Sequence, residues 1–287
     1  MLWITAAWGA CFVAIQWGLR DAPVLWFAAL RALVAGVALL AVGRAQHRPR
    51  PLGMRAWGLI AVQGLVNVTV GFGAMFAAVA GLATGTAAVL ANAQPLLIML
   101  PAWWLYGEVV SRRTAGALVV GFAGLVLVAV PGGGGRGAAL SLLAAAAITA
   151  GTLLSRRLGA LDVIVASGWR FMIGGAALAV IAGVVQGTPV IAWTPRFIAV
   201  LAFLSLVGSA AAFVAWFTET RRSRLDVLSA WTFLTPVVGI VLAAMVLGER
   251  ASGWTGAGLA AVLVAMGVVL VPARRRSAPQ PAPGPTS

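Results

Sequence analysis

The chain has 287 residues, of which 62% are hydrophobic and only 9% are charged. Soluble domains carry about 25% charged residues, so this composition excludes a water-soluble fold and predicts an integral membrane protein in a lipid bilayer. The formal net charge is +14, and every one of the 20 basic residues is an arginine.

Apolar segments follow one another along the chain, each close to the ~20 residues that cross ~30 Å of hydrocarbon. They predict an all-α fold with ten transmembrane helices. The first segment has no basic stretch before it and is interpreted as a retained helix. The segments lie at roughly 2–19, 23–43, 56–77, 84–106, 114–130, 137–155, 162–185, 196–218, 225–247 and 253–272.

Arginine content differs between alternate connections. Fourteen arginines follow the even-numbered segments, and only four follow the odd-numbered ones. Positive residues concentrate on the cytoplasmic side of membrane proteins, so both termini are expected in the cytoplasm of a multi-pass cell-membrane protein. The tail 273–287 is rich in arginine and then proline, and is expected to be disordered there. The basic charge thus reflects topology and indicates no nucleic-acid partner.

The chain repeats itself with an offset of 141 residues. Pro95 and Gly107-Glu108 in the first half match Pro236 and Gly248-Glu249 in the second. No single mark is specific, but their matched spacing predicts two related halves.

The two halves each contain five segments, at 2–131 and 136–272, joined by a glycine run. Five crossings return the chain to the opposite face, so the second half is expected to be inverted relative to the first. In this arrangement a substrate binds near the midplane, between halves that move against each other.

Arg31 and Arg170 form a second matched pair. Each lies about eight residues into the second segment of its half, which is ~12 Å deep at a rise of ~1.5 Å per residue. An arginine at that depth is costly, which indicates binding of an anionic group or pairing with helix carbonyls. The alternative is that each long side chain extends to the membrane surface.

With these marks the chain resembles the drug/metabolite transporter superfamily, specifically its EamA-like family of two five-helix repeats. The resemblance is carried by Trp8-Gly9, the matched arginines and prolines, the Gly-Glu pairs and the glycine-rich fifth segments. It covers roughly residues 3–272. It implies ten helices, cytoplasmic termini and movement of small molecules, often by export of metabolites or amino acids.

The matched prolines predict kinks in the fourth and ninth segments. Pro95 frees the carbonyl of Ala91, and Pro236 frees that of Thr232. In hydrocarbon such a carbonyl needs a partner or a watery cavity, so both kinks are candidate cavity walls. A bend that packing tolerates is the alternative.

Deep polar and aromatic side chains near these kinks are candidates for a substrate pocket. The alternative role for each is to hydrogen-bond or pack between helices. The predicted substrate-binding residues are Trp8, Asn67, Asn92, Gln94, Arg170, Ser209, Trp231 and Thr235.

The sequence carries no cluster of His, Cys and carboxylates at metal-binding spacing, and no phosphate-binding loop ending in lysine. We therefore expect no metal, no cofactor and no enzymatic activity. The predicted function is secondary transport of a small metabolite (an amino acid, an amine or a drug-like compound) by alternating access in the plasma or inner membrane, in the direction of export. The alternative is a non-transporting scaffold on the same fold. The sequence does not specify the oligomeric state.

Overall fold

The computed structural model describes residues 1–94, 97, 101, 104, 112–129, 135–157, 161–220, 222, 231–232, 234–249 and 253–270. Pro95 and the tail 273–287 lie outside these residues. The described part contains ten helices and no strand. The helices are α1 Leu2–Gly18, α2 Val24–Ala45, α3 Met54–Gly81, α4 Thr84–Ala91, α5 Arg112–Ala129, α6 Gly135–Arg157, α7 Val163–Gln186, α8 Pro195–Thr220, α9 Leu234–Leu247 and α10 Gly253–Leu270.

The prediction of an all-helical membrane protein is confirmed in the described part of the chain. Five of the helices are long and apolar enough to cross a membrane. Their lengths of 21 to 28 residues match the thickness of the hydrocarbon core. They are α2, α3, α7, α8 and the Gly135–Ser155 part of α6.

Side-chain caps define the starts of two helices. Asp162 precedes α7, and its carboxylate accepts hydrogen bonds from the N–H groups of Ile164 and Val165. Thr194 precedes α8 and accepts from the N–H of Phe197, with proline in the first turn. These acceptors satisfy backbone donors that a helix leaves without partners at its N-terminus.

Two helices change their hydrogen-bond register near the middle. α3 contains a π-helical segment at Gly64–Val70, and α8 contains one at Phe203–Ala211. The two segments lie about 140 residues apart, so they occupy matched places in the two halves. Such segments are rare and frequently accompany functional sites.

α2 and α7 pack antiparallel along their whole length. Near the start of α2, the N–H of Leu25 donates to Oε1 of Gln186 at the end of α7. Further along, a Cβ atom at Gly36 would lie only 2.9 Å from the side chain of Met172. Glycine therefore permits the close approach of these two helices.

Further helix pairs also join the halves. α5 packs against α10, where a Cβ at Gly124 would lie 2.7 Å from the carbonyl oxygen of Gly258. α4 packs against α9, and α1 also packs against α9. The buried core lies between α1, α2, α3, α7 and α8 and contains an aromatic cluster that includes Phe27, Phe72, Phe76, Phe171, Phe213 and Trp216.

Ion pairs lie at both ends of the α2–α7 pair. Asp21, just before α2, pairs with Arg196 of α8 at 2.8 Å. Arg48, just after α2, pairs with Asp162 at 2.7 Å. Each pair joins one half to the other. Asp21 and Asp162 are themselves 141 residues apart in the sequence, the offset of the internal repeat.

Candidate functional site

A cavity of about 50 Å³ lies between the two halves. α1, α2, α3 and the end of α4 line it from the first half, and α6 and α8 line it from the second. One water needs ~10–15 Å³ of such volume, so the cavity has room for a few water molecules or a group of similar size. Its polar lining consists of Trp8, Cys11, Arg31, Asn92 and Gln94, and its apolar lining of Phe12, Phe72, Met75, Ala91, Ile148 and Phe213.

Arg31 is the charged residue of this lining, and its side chain is only 2% exposed. Its Nε donates to Oγ of Ser209 at 2.8 Å, and its Nη2 donates to the carbonyl oxygen of Gly208 at 3.4 Å. Both acceptors lie in the π-helical segment of α8. The guanidinium also stacks on the ring of Phe72, with Cζ 4.4 Å from the ring centre. Its Nη1 has no hydrogen-bond partner among the described residues.

Trp8 reaches the same segment of α8 from α1. Its indole Nε1 donates to the carbonyl oxygen of Gly208 at 3.1 Å. The ring packs against Phe213 and Trp216, with ring centres 5.5 and 5.4 Å away. Trp8 and Arg31 lie on two different helices of the first half, and both donate to this one backbone carbonyl of α8.

Two amides complete the polar lining. Asn92 donates from Nδ2 to the carbonyl oxygen of Ala88 at 2.7 Å, which satisfies the last turn of α4. Gln94 donates from Nε2 to Oγ1 of Thr152 on α6 at 3.1 Å. The structure therefore brings three predicted site residues, Trp8, Asn92 and Gln94, to one cavity.

Arg170 lies in a different environment from its counterpart. Its side chain is fully buried, and none of its three guanidinium nitrogens has a hydrogen-bond partner in the described part of the chain. Its Cζ lies 4.6, 5.1 and 4.5 Å from the ring centres of Phe171, Phe213 and Phe217. It is absent from the cavity lining, although Phe213 belongs both to that lining and to the rings around Arg170.

The burial of both arginines tests the alternative that their side chains extend to the membrane surface. A side chain that extends to the membrane surface would expose its guanidinium, but Arg31 is 2% exposed and Arg170 is 0% exposed. The membrane-surface interpretation is therefore wrong for both. Arg31 instead pairs with a carbonyl and a hydroxyl in the opposite half.

The remaining predicted residues do not line the cavity. Ser209 is buried and does not line the cavity, but it accepts a hydrogen bond from Arg31, which does. Asn67 and Thr235 are fully buried, and their side-chain polar atoms have no partners among the described residues. Trp231 is 43% exposed and lies at the surface of the chain. Pro236 is buried in α9.

Sequence reasoning missed several wall residues. Cys11, Phe12, Phe72, Met75, Ile148 and Phe213 carried no signal, because each sits in a segment that is apolar on every face. Arg31 did carry a signal, its matched depth with Arg170. A further residue, Glu249, accepts from the N–H groups of Thr84 and Gly85 and so caps α4 from the other half.

Comparisons with known proteins agree with this architecture. The EamA-like transporter family matches the chain twice, at residues 1–130 and 135–271. A WAT1-related chloroplastic protein of Arabidopsis thaliana is 32% identical over 280 residues, which cover 92% of this chain and 67% of the relative. An uncharacterized inner membrane transporter of Escherichia coli strain K12, YedA, is 28% identical, covering 95% and 91%. A solved crystal structure shares the fold with a TM-score of 0.74 at 21% identity, over 95% of this chain and 96% of the other.

Proposed function

The chain belongs to the EamA-like transporter family, a family of multi-pass membrane transporters, and on this basis we propose that it moves a small metabolite by alternating access. The proposed location is the cell membrane, because the name of the Escherichia coli relative describes that protein as an inner membrane transporter. The proposed direction is export. We propose that the protein is a secondary transporter and that its substrate is an amino acid, an amine or a drug-like compound.

We propose that the chain forms an inverted repeat of ten membrane helices, with halves at 2–131 and 136–272. The family matches the chain once in each half. Corresponding helices pack against each other: α2 packs antiparallel to α7, and α5 packs against α10. Two halves with parallel orientation would bring their counterparts together in parallel. The matched π-helical segments of α3 and α8 support the same relation.

The observation that carries the proposal is the cavity between the halves. Its wall combines a guanidinium, two amides and an indole with aromatic and aliphatic side chains. Small-molecule sites are mostly apolar clefts with a few placed polar groups, and transporter sites lie between repeats. A scaffold on the same fold would not need polar groups around a space between its halves.

The proposed substrate contacts are Trp8, Asn92 and Gln94 in the cavity wall. Ser209 holds Arg31 in place, and Asn67, Arg170 and Thr235 are buried polar groups that a movement of the halves would bring to the route. Trp231 is proposed for the mouth of the route, because it is exposed. Pro95 and Pro236 are proposed as the kinks that bend the helices around it.

A comparison of metabolites in cells with and without the protein tests this function. We expect at least one small compound to change compartment when the protein is produced. The Asn92→Ala/Gln94→Ala double variant should restore the pattern of cells that lack the protein. Gln46→Ala is the matched control, because Gln46 is an exposed amide in the loop after α2. An unchanged metabolite pattern, or a double variant that behaves like the wild type, would contradict the proposal.

A further inference from the structure

The positive charge in the cavity wall has no counter-charge among the described residues. The described residues form two ion pairs, Arg48–Asp162 and Arg196–Asp21, and Arg31 belongs to neither. Its partners are a hydroxyl, a carbonyl and a thiol, all of which are neutral. No carboxylate occurs among the described residues that line the cavity.

A buried charge in a membrane protein is costly unless it is paired and hydrogen-bonded. Neutral acceptors and the ring of Phe72 stabilise the guanidinium in part, but they leave its full positive charge in place. Nη1 also lacks a partner among the described residues, although Nε donates to Ser209 and Nη2 donates to Gly208 and Cys11. The donor without a partner, Nη1, therefore belongs to a residue that lines the cavity between the halves.

We infer that the cavity binds a small organic anion, with its carboxylate on Nη1 of Arg31 and its apolar part against the aromatic wall. This inference rests on the proposed transport function and names its substrate class. A carboxylate would supply both the missing counter-charge and the missing acceptor, and charge-assisted hydrogen bonds of this kind are short and strong. Trp8, Phe72, Met75 and Phe213 offer the apolar surface, and Asn92 and Gln94 lie in the same wall.

The same charge disfavours an amine that carries no carboxylate. Aromatic walls can attract a cation, but a second positive charge beside Arg31 would meet repulsion in a medium that screens poorly. Arg170 is less suited to hold the anion, because three phenylalanine rings surround its guanidinium and it lies outside the cavity lining. Of the two matched arginines, the structure therefore assigns the anion to Arg31.

The test measures thermal unfolding of the purified full chain in detergent at matched ionic strength. The probes are two size-matched trios: propionate, propylamine and propanol; and benzoate, benzylamine and benzyl alcohol. A ligand that binds the folded state raises the unfolding midpoint with its concentration. We expect the carboxylate of at least one trio to do so more than its amine and alcohol counterparts. No preference for a carboxylate in either trio overturns the inference.

Two variants locate the effect. Arg31→Gln should weaken carboxylate binding by roughly tenfold or more, the size of one lost charge-assisted hydrogen bond. Arg20→Gln removes an exposed arginine after α1 and should bind as the wild type does. If Arg31→Gln does not fold, Asn92→Asp supplies a carboxylate to the same cavity while Arg31 stays, and it should cause the same loss. Undiminished carboxylate binding in whichever of these two cavity variants folds overturns the inference.

The two proposals fail in different ways. If the metabolite comparison finds a transported amine or neutral compound, the function stands and the anion inference is wrong. If carboxylates bind through Arg31 but no compound changes compartment, the binding site stands and the transport proposal is wrong.

Discussion

At the scale of single residues, the two matched arginines differ in what surrounds them. Arg31 donates to two acceptors across the interface between halves, whereas Arg170 is enclosed by rings and donates to nothing in the described residues. The cost of burial is similar for both, but only Arg31 recovers part of it through hydrogen bonds. Removal of each side chain should therefore affect stability differently.

We expect Arg31→Met to lower the free energy of unfolding by about 1–3 kcal/mol, because it breaks charge-assisted hydrogen bonds to buried acceptors. Arg170→Met should be neutral or stabilising, because an apolar chain of similar length replaces a buried charge without hydrogen-bond partners. Thermal unfolding in detergent compares the two matched variants. A greater loss of stability in Arg170→Met than in Arg31→Met would contradict this account.

At the scale of helices, the sequence predicted where elements lie better than which way they face. The thickness of the membrane sets the length of an apolar segment, so the predicted 162–185 and 196–218 agree closely with α7 and α8. The π-helical segments have no comparable signal, because their apolar and small residues, with one asparagine and a few hydroxyls, also occur in regular membrane helices.

The direction of a side chain was harder to predict. Trp8 and Trp231 both sit inside apolar segments, yet Trp8 lines the cavity and Trp231 is 43% exposed. In a soluble helix the apolar face points to the core, but lipid is as apolar as a protein interior. Hydrophobic periodicity therefore gives depth along these helices and no direction around them. The sequence singled out Arg31 by its matched position with Arg170, and only tertiary packing revealed its partners.

The start of α7 gives a prediction for pH. Partial burial raises the pKa of the Asp162 carboxyl, but hydrogen bonds from the N–H groups of Val165 and Ile164 and from Arg48 outweigh it and hold the pKa below its ordinary value of 3.8. A carboxyl with a lowered pKa stabilises the fold fully above its ordinary pKa and loses that contribution as the pH falls through the lowered value.

We therefore expect Asp162→Ala to cost about 1 kcal/mol at neutral pH, the usual effect of losing a helix cap. Asp162→Asn keeps a capping oxygen but has no charge to titrate. Unfolding measured from pH 6 down to pH 3 should show a decline in the wild type that is smaller in Asp162→Asn. Identical pH profiles for the two proteins would refute the assignment.

At the scale of the whole molecule, the arginine distribution predicts which face is cytoplasmic. His47 lies in the arginine-rich loop after α2, and Thr188 lies in the loop between α7 and α8. On a Cys11→Ser background, a membrane-impermeant maleimide added to intact cells should label Thr188→Cys and leave His47→Cys unlabelled. Labelling of position 47 from outside would reverse the proposed topology.

The ion pairs at the two ends of α2 bear on how the halves move. Asp21–Arg196 joins them on the proposed external face, and Arg48–Asp162 joins them on the proposed cytoplasmic face. Alternating access requires one end to open while the other stays closed. Each pair is thus placed to favour closure of its own face, by an amount that partly exposed ion pairs limit to a small bias.

Native Cys11 can report this movement, because it lines the cavity and is buried. In Asp21→Ala, an impermeant maleimide added from outside should label Cys11 a few-fold more than in the wild type. The lost ion pair is a bias of up to about 1 kcal/mol, which changes the population of an open state by a few-fold. Arg48→Ala should raise labelling only from the cytoplasmic face, measured in inverted vesicles. The two variants are matched controls for each other, because each removes one pair and leaves the other. If either variant raised labelling equally from both faces, the cavity would open without alternation, and the rocking of two inverted halves would be the wrong description of this protein.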